Sequence, residues 1–294
     1  MKNKKIIQTN LIKELKGKTI LITGGAGSLG SVLTKKLLKY PVRSIRVLDI
    51  DEHALFKLKH SVNDSRLRLL LGSVLDQERV EMAGNKIDVI FHLAAIKNIE
   101  ISEYNPIETI STNINGTVNM IKMATRNKPK KFINISTDKA VEATTLYGIT
   151  KYLSEKLTTW AGIHMAPTKF GSIRFGNMIE TRGNVFEIWN EELKNNQPLS
   201  ITDPLSERYF IHTENAVDVI LRCLPLINTG EIIIPKMTSY NIKEAAMKLS
   251  KNHKKIGLRL GEKIRESLIT QTEKKVAKER KDMWIIKPSI YRKT

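Results

Sequence analysis

The chain has 294 residues, 41% of them apolar, with a single cysteine and a formal net charge of +19. That length suits one large or two modest domains with a real core. No stretch is apolar enough for a bilayer span, the basic start Met1-Lys2-Asn3-Lys4-Lys5 lacks the apolar segment of a signal peptide, and the lone Cys223 excludes a disulfide framework and a cysteine zinc site.

A reducing cytoplasm fits best, and no metal site is expected. Strong basicity has three readings: nucleic-acid binding, attraction to an anionic membrane surface or phosphorylated substrate, or a lysine-rich solvated surface. The lysines are scattered, without the aromatic–basic interleaving of a nucleic-acid module. No nucleic-acid partner is therefore expected. The solvated surface leads, and an acidic substrate comes next.

Residues 1–17 read as a basic arm or short helix with an apolar set at Leu11, Ile12 and Leu15. Thr19 to Thr23 is a short apolar strand, followed by Gly24-Gly25-Ala26-Gly27-Ser28-Leu29-Gly30 and a helical pattern through Leu38. Strand, glycine loop and helix in that order are the context of a dinucleotide fingerprint. Glycines permit a tight turn and close approach to a pyrophosphate, and the helix N-terminus offers unpaired N–H donors. Ser44 to Asp49 reads as the second strand. A carboxylate about 20 residues past the glycines typically takes the ribose hydroxyls, which is the place of Asp49. Asp51 and Glu52 beside it would repel a 2′-phosphate and favour NAD, while Arg43 and Arg46 keep NADP open.

Strands at 66–71 and 88–92 continue the alternation, with a helix near 76–83. After the fourth strand comes Leu93-Ala94-Ala95-Ile96-Lys97, small enough at its centre to let a cofactor approach. His92 reads as a satisfied core residue. Pro106 opens one long helix through Asn113, Gly116 and Met120 to about Arg126. Phe132 to Ile135 and Thr168 to Phe175 are the fifth and sixth strands. Six strands alternating with helices predict an α/β fold with a doubly wound parallel (Rossmann) sheet in a nucleotide-binding domain over 1–175. From Gly176 shorter elements predict a smaller substrate-binding lobe over 176–294. It includes a charged helix at 270–280 with a solvated face, and a strand at Trp284 to Ile286.

The chemistry converges on Ser136 to Lys151. Leu146, Ile149, Leu153, Leu157 and Trp160 recur at helical spacing, so Tyr147 and Lys151 lie one turn apart on one face. A tyrosine holds its proton to about pH 10, and a lysine cation nearby favours the phenolate and makes it a usable base. Thr137 and Asp138 end the preceding strand, where a parallel sheet presents its chemistry.

With the glycine loop, Asp49 and Tyr147/Lys151 together, the chain resembles the extended short-chain dehydrogenase/reductases. Ser136-Thr137-Asp138-Lys139-Ala140 resembles, more closely, the UDP-N-acetylglucosamine 4,6-dehydratases of the polysaccharide-biosynthesis family. Further matches are Glu103-Tyr104-Asn105-Pro106, Arg174-Phe175-Gly176-Asn177, Thr181-Arg182-Gly183, Ile201-Thr202-Asp203, Arg208-Tyr209-Phe210 and Gly257-Leu258-Arg259-Leu260-Gly261-Glu262-Lys263.

The resemblance implies a bound NAD that is not consumed. Gly24, Gly27, Ser28, Leu29, Gly30 and Asp49 would hold it, with Ser73 and Val74 near the adenine, Leu93 and Lys97 along its path, Asn113 bracing the site, and Lys151 on the nicotinamide ribose. Tyr147 would take the C4 hydroxyl proton, Lys139 the C5 proton, and Asp138 would protonate the departing C6 hydroxyl, with Thr137 completing the set. That pairing also has a physical rationale: elimination needs a base and an acid at adjacent carbons. It requires a Lys139 pKa lowered by burial or by neighbouring cations. Asn177 would bond the sugar or its phosphate, Arg182 and Arg259 the pyrophosphate, and Thr202 and Glu262 would approach the uridine. The substrate would be a UDP-N-acetylhexosamine, and the protein a homo-oligomer.

The chain departs from the family pattern at Ser73, where an acidic residue is frequent, at Glu180, and at Ala143-Thr144-Thr145. Many relatives carry N-terminal membrane helices, whereas this chain resembles the short form, with a peripheral membrane contact left open. Two alternatives stand beside the dehydratase. A nucleotide-sugar 4-epimerase needs Tyr147, Lys151 and cofactor but no further acid or base. A cofactor-binding, nucleic-acid-associated regulator is motivated by charge alone.

Overall fold

Apolar, β-branched runs make the central strands, and Thr19–Thr23, Val89–His92, Lys131–Thr137 and Glu231–Pro235 are buried along their whole length. Such runs need cover on both faces, which helices of a parallel sheet supply. The computed structural model describes residues 2–288, and side chains from residue 9 to 288. The expected lobe's residues 289–294 lie outside the described residues.

The first part of the chain runs α1 (Lys2–Leu15), β1 (Thr19–Thr23), α2 (Ser28–Leu37), β2 (Ser44–Asp49), α3 (Glu52–Ser61), β3 (Leu67–Leu71), α4 (Gln77–Gly84) and β4 (Val89–His92). It continues through α5 (Ile99–Tyr104), α6 (Pro106–Ile110), α7 (Gly116–Asn127), β5 (Lys131–Thr137), α8 (Leu146–His164) and β6 (Lys169–Phe175). Side-chain caps start the helices where the sequence offers them. Asp51 accepts from Ala54 N at α3, and Thr145 from Gly148 N at α8.

The second part contains β7 (Asn177–Ile179), α9 (Val185–Lys194), β8 (Leu199–Ile201), β9 (Glu207–His212), α10 (Thr213–Cys223) and β10 (Glu231–Pro235). Then come β11 (Ser239–Asn241), α11 (Ile242–Met247), β12 (His253–Lys255), α12 (Gln271–Val276), β13 (Lys278–Glu279) and β14 (Met283–Ile286).

One nine-stranded sheet has the order β13-β14-β10-β6-β5-β4-β1-β2-β3. The run from β3 to β10 is parallel, β14 returns antiparallel on β10, and β13 antiparallel on β14. The expected doubly wound sheet is therefore present, and the strand order reverses between β1 and β4. Loops after those two strands open a crevice at the sheet's C-terminal edge. Leu33, Leu37, Leu55, Val217 and Ile220 pack on one face of the sheet, and Val80, Met120, Met123 and Ala124 on the other. A small lobe is built around Trp189, Leu199, Ile201, Ile242 and Ala246, with the Trp189 indole N–H on the Ser200 carbonyl at 2.8 Å.

Three expectations are corrected here, and the facing of α8 is settled with them. The division at 175/176 is not a clean one, because β10, β13 and β14 rejoin the large sheet and α10 packs on α2. The single long helix from Pro106 is broken by a π turn at Ser111–Asn115. Much of the apolar stripe on α8 faces outward: Ile149, Leu153 and Trp160 are 50%, 44% and 47% exposed, while Leu157 packs on the core. The buried face of that helix is instead Gly148, Thr150, Lys151, Ser154, Glu155 and Thr158, its polar groups satisfied by the sheet and by α7. At 270–280 the helix is short and not a purely solvated face. Glu273 makes two bonds, both 3.0 Å, to the buried Arg174 guanidinium, which Glu155 holds from the other side.

Candidate active site

The crevice is a cavity of about 810 Å³, lined at one end by the glycine loop and at the other by the small lobe. That is ample for a sizeable ligand. Gly24 has φ +62°, and a Cβ there would lie 2.8 Å from Ala94 N. At Gly30 a Cβ would meet Gly25 Cα at 2.5 Å, so α2 starts hard against the strand end. The first turn of α2 has no side-chain cap, which leaves its amides for an anion. Asp49 accepts from Ala26 N at 2.9 Å and from Asp51 N at 3.1 Å, bracing the glycine loop at the cavity wall. These residues fit a dinucleotide, pyrophosphate over the glycines and ribose at Asp49.

Gly27, Ser28, Leu29, Ser73, Val74, Leu93 and Lys97 line the same cavity. Lys97 Nζ donates to the Arg182 carbonyl at 2.9 Å. Asn113 does not line it. The π turn aims its side chain at both backbone groups of Ile96, 2.8 and 2.9 Å away, and at Thr150 Oγ1, 3.0 Å away. Asn113 thus fixes the loop after β4 rather than touching a ligand. Arg46 donates to the carbonyls of Ala83 and Asn85, so it does not face the Asp49 end. His92 sits between Thr23 Oγ1 at 2.7 Å and Thr117 Oγ1 at 3.1 Å, as a satisfied core residue. Burial, with help from Lys151, holds its pKa down to about 3.

At the middle of the cavity, β5 ends in Thr137 and a 3-10 turn carries Asp138 and Lys139. Lys139 Nζ lies 3.2 Å from Asp138 Oδ1 and 3.1 Å from Asn177 Oδ1. Thr137 Oγ1 donates to the same Asp138 oxygen at 3.0 Å. Asp138 is fully buried, and its Oδ2 has no partner. Tyr147 and Lys151, on α8, line the wall opposite the glycine loop.

The electrostatics differ from the sequence expectation in two ways. Burial pushes Lys139 down, but Asp138, Glu266 and Tyr147 together outweigh it and hold the amine above its usual value. Burial raises the Tyr147 phenol, and Lys139 and the Thr137 hydroxyl offset only part of that. The protein's own groups therefore do not favour the phenolate. Lys151 is the group that burial depresses, to about 8, against the pull of Glu155.

On the small-lobe side, Asn177, Thr202, Arg259 and Glu262 line the cavity and Arg182 does not. The Arg182 guanidinium pairs with Asp51 at 3.1 Å, and its amide donates to Ser28 Oγ at 3.1 Å. Glu262 is committed to the protein: Arg208 at 2.8 Å and the Arg259 amide at 3.2 Å. Arg259 also pairs with Glu100.

Glu266 and Arg208 were not expected in the site, yet both line it. Glu266 is 4% exposed, burial raises its pKa, and its Oε2 has no hydrogen bond. The signal was within reach, because Glu266 lies three residues beyond the Gly-Glu-Lys run and Arg208 opens a quoted segment.

A glycine cradle at a sheet's switch point, with Tyr147, Lys151 and Lys139 on the walls of the same cavity, defines an enzyme of the extended short-chain dehydrogenase/reductase class. Within that class the chain belongs to the polysaccharide biosynthesis protein family, whose profile matches residues 20–288. It is 40% identical over 288 residues to an uncharacterised membrane protein of Methanocaldococcus jannaschii, covering 93% of this chain and 86% of the relative. It is 38% identical over 280 residues to a UDP-N-acetylglucosamine 4,6-dehydratase (inverting) of Campylobacter jejuni, covering 93% and 84%. Among solved structures it is similar to Pen from Bacillus thuringiensis, with a TM-score of 0.88, 34% identity, and 93% and 89% of the two chains covered. Among the described residues no helix is long and apolar enough to cross a membrane.

Proposed function

We propose that this protein is a nucleotide-sugar 4,6-dehydratase acting on UDP-N-acetylglucosamine, with NAD as its resident cofactor. The observation that carries the reading is the Asp138–Lys139 couple: Lys139 lines the cavity with Tyr147, and Asp138 is buried directly behind it, 3.2 Å away. An epimerase has no use for it.

Bound at the glycine cradle, the dinucleotide supplies an acceptor and later donor of hydride. The chain's own residues supply the rest. Tyr147 takes the C4 hydroxyl proton, and Lys151, on the same helix face, orients the cofactor ribose. A C4 ketone acidifies the C5 hydrogen. Lys139, as a neutral amine, removes it, and Asp138, as a carboxylic acid, protonates the leaving C6 hydroxyl. The cycle ends with a 4-keto-6-deoxy sugar and water. Asn177 holds Lys139 in place at 3.1 Å, and Arg259 and Thr202, which line the small-lobe side of the cavity, would meet the uridine diphosphate.

Incubation with UDP-N-acetylglucosamine in deuterated water tests the reading. The expected product is lighter by one water and carries deuterium at C5. An unlabelled C4 epimer overturns it. A homo-oligomer and a cytoplasmic location belong to the same proposal. Ile101, Tyr104, Ile107, Ile149, Leu153 and Trp160 are exposed on α5, α6 and α8, which pack together. An apolar face of that kind marks an interface. Leu153→Glu should lower the mass measured by light scattering.

A further inference from the structure

This inference rests on the dehydratase reading and follows one proton through it. Water loss takes a proton from O4, where the ketone forms, and needs one at O6, where the hydroxyl leaves. The C5 proton is removed and restored, and the C4 hydride returns at C6, so neither changes the count. Each turnover therefore delivers one proton to Tyr147 and withdraws one from Asp138.

Asp138 is fully buried and has no direct access to water. Tyr147 keeps its own proton in this site. A phenol can take a second proton only by passing the first one on. One hydroxyl stands between the two groups. Thr137 Oγ1 donates to Asp138 Oδ1 at 3.0 Å, and it faces the Tyr147 phenol. A threonine hydroxyl donates and accepts at once. Lys139, Glu266 and Tyr209 are the other ionisable groups facing Asp138, and only Lys139 is bonded to it.

We propose that Thr137 is a proton relay that carries the O4 proton, by way of Tyr147, to Asp138 as C4 is oxidised. The substrate O4–H bond breaks as its proton reaches the Tyr147 oxygen. The Tyr147 O–H proton passes to Thr137 Oγ1, and the Thr137 proton to Asp138 Oδ1. Tyr147 and Thr137 end as they began, Asp138 becomes a carboxylic acid, and the electron pair of the C4–H bond leaves as hydride. The acid that expels C6 hydroxyl is thus armed by the preceding step. When it gives that proton up, the site is back at its starting state without help from solvent.

The relay makes C4 oxidation depend on Asp138, which a mere elimination acid does not. Four variants of the holoenzyme, mixed with UDP-N-acetylglucosamine, separate the two roles by the absorbance of reduced nicotinamide. Lys139→Ala leaves elimination without its base, so absorbance should rise and hold, at a rate that is flat with pH. Asp138→Asn, and Thr137→Val placed on the Lys139→Ala background so that elimination stays blocked, should raise it at least tenfold more slowly, and faster as pH rises, because the phenol must now ionise unaided. Thr137→Ser on the same background should restore the flat profile. Asp138→Asn matching Lys139→Ala in rate and pH profile overturns the relay, and it stays decisive if Thr137→Val does not fold. Wild-type enzyme that makes no 4-keto-6-deoxy product overturns the dehydratase reading itself, and the relay with it.

Discussion

Glu155 holds Arg174 by two hydrogen bonds, 3.0 and 2.8 Å, with the two side chains 0% and 1% exposed. Glu273 takes the other edge of the guanidinium from the short helix α12. The three residues tie helix α8, strand β6 and the C-terminal segment together. Burial works against the Arg174 cation, but Glu155 and Glu273 more than compensate and raise its pKa.

Glu155→Gln leaves a buried cation short of one charge. Removing one partner of such a pair costs about 3–5 kcal/mol. Urea denaturation should show that loss in the midpoint with an unchanged slope. Glu273→Gln, at the less buried edge, should cost clearly less.

Lys139→Ala should lower dehydratase turnover by about 10²–10⁴-fold, the usual worth of a placed acid or base. Solvent deuterium should no longer enter C5. Mass spectrometry of the product pool checks this, and an enzyme that interconverts C4 epimers at full rate after the substitution is not a dehydratase.

Lys139 serves as a base only after losing its extra proton, so turnover should rise with pH as the amine deprotonates. Glu266 contributes to holding the Lys139 pKa up. Glu266→Gln keeps the shape and removes the charge, which lowers that pKa. The rising limb of kcat against pH should therefore move to lower pH, and Glu266→Asp should leave it near its original place. An unmoved limb in the glutamine variant would show that Glu266 only packs.

Arg182 is mostly exposed and pairs with Asp51 rather than facing the sugar end. Exposed pairs are worth about 0–1 kcal/mol. Arg182→Ala should leave thermal stability within that range and KM for the nucleotide sugar nearly unchanged. A KM raised tenfold or more would place the guanidinium on the substrate pyrophosphate after all.

The sheet was legible because its strands announce themselves as buried apolar runs and its first turn as a glycine loop. Thr137, Asp138, Lys139, Tyr147 and Lys151 were legible because they sit close in sequence on consecutive elements. What sequence hides is direction. The stripe from Ile149 to Trp160 fits a helix equally well whether it faces core or solvent, and its inward neighbours Ser154, Glu155 and Thr158 look like surface residues until their partners on other elements are known. The charge state of Lys139 was misjudged for the same reason. Glu266, one of the groups that raise its pKa, lies 127 positions further along the chain. Likewise, β10 and β14 show nothing in their own residues of the distant edge they complete.

The widened turn at Ser111–Asn115 holds one residue more than regular winding would. Excising a single residue there would let α6 and α7 fuse into one rod. Everything upstream would then be screwed round by about 100° and drawn in by about 1.5 Å. Asn113 would swing off Ile96, and the outward-facing Ile101, Tyr104 and Ile107 would lose their common orientation with α8. A shortening that looks like tidying would so uncouple, in one stroke, the loop above the crevice and the flank that another subunit would grip.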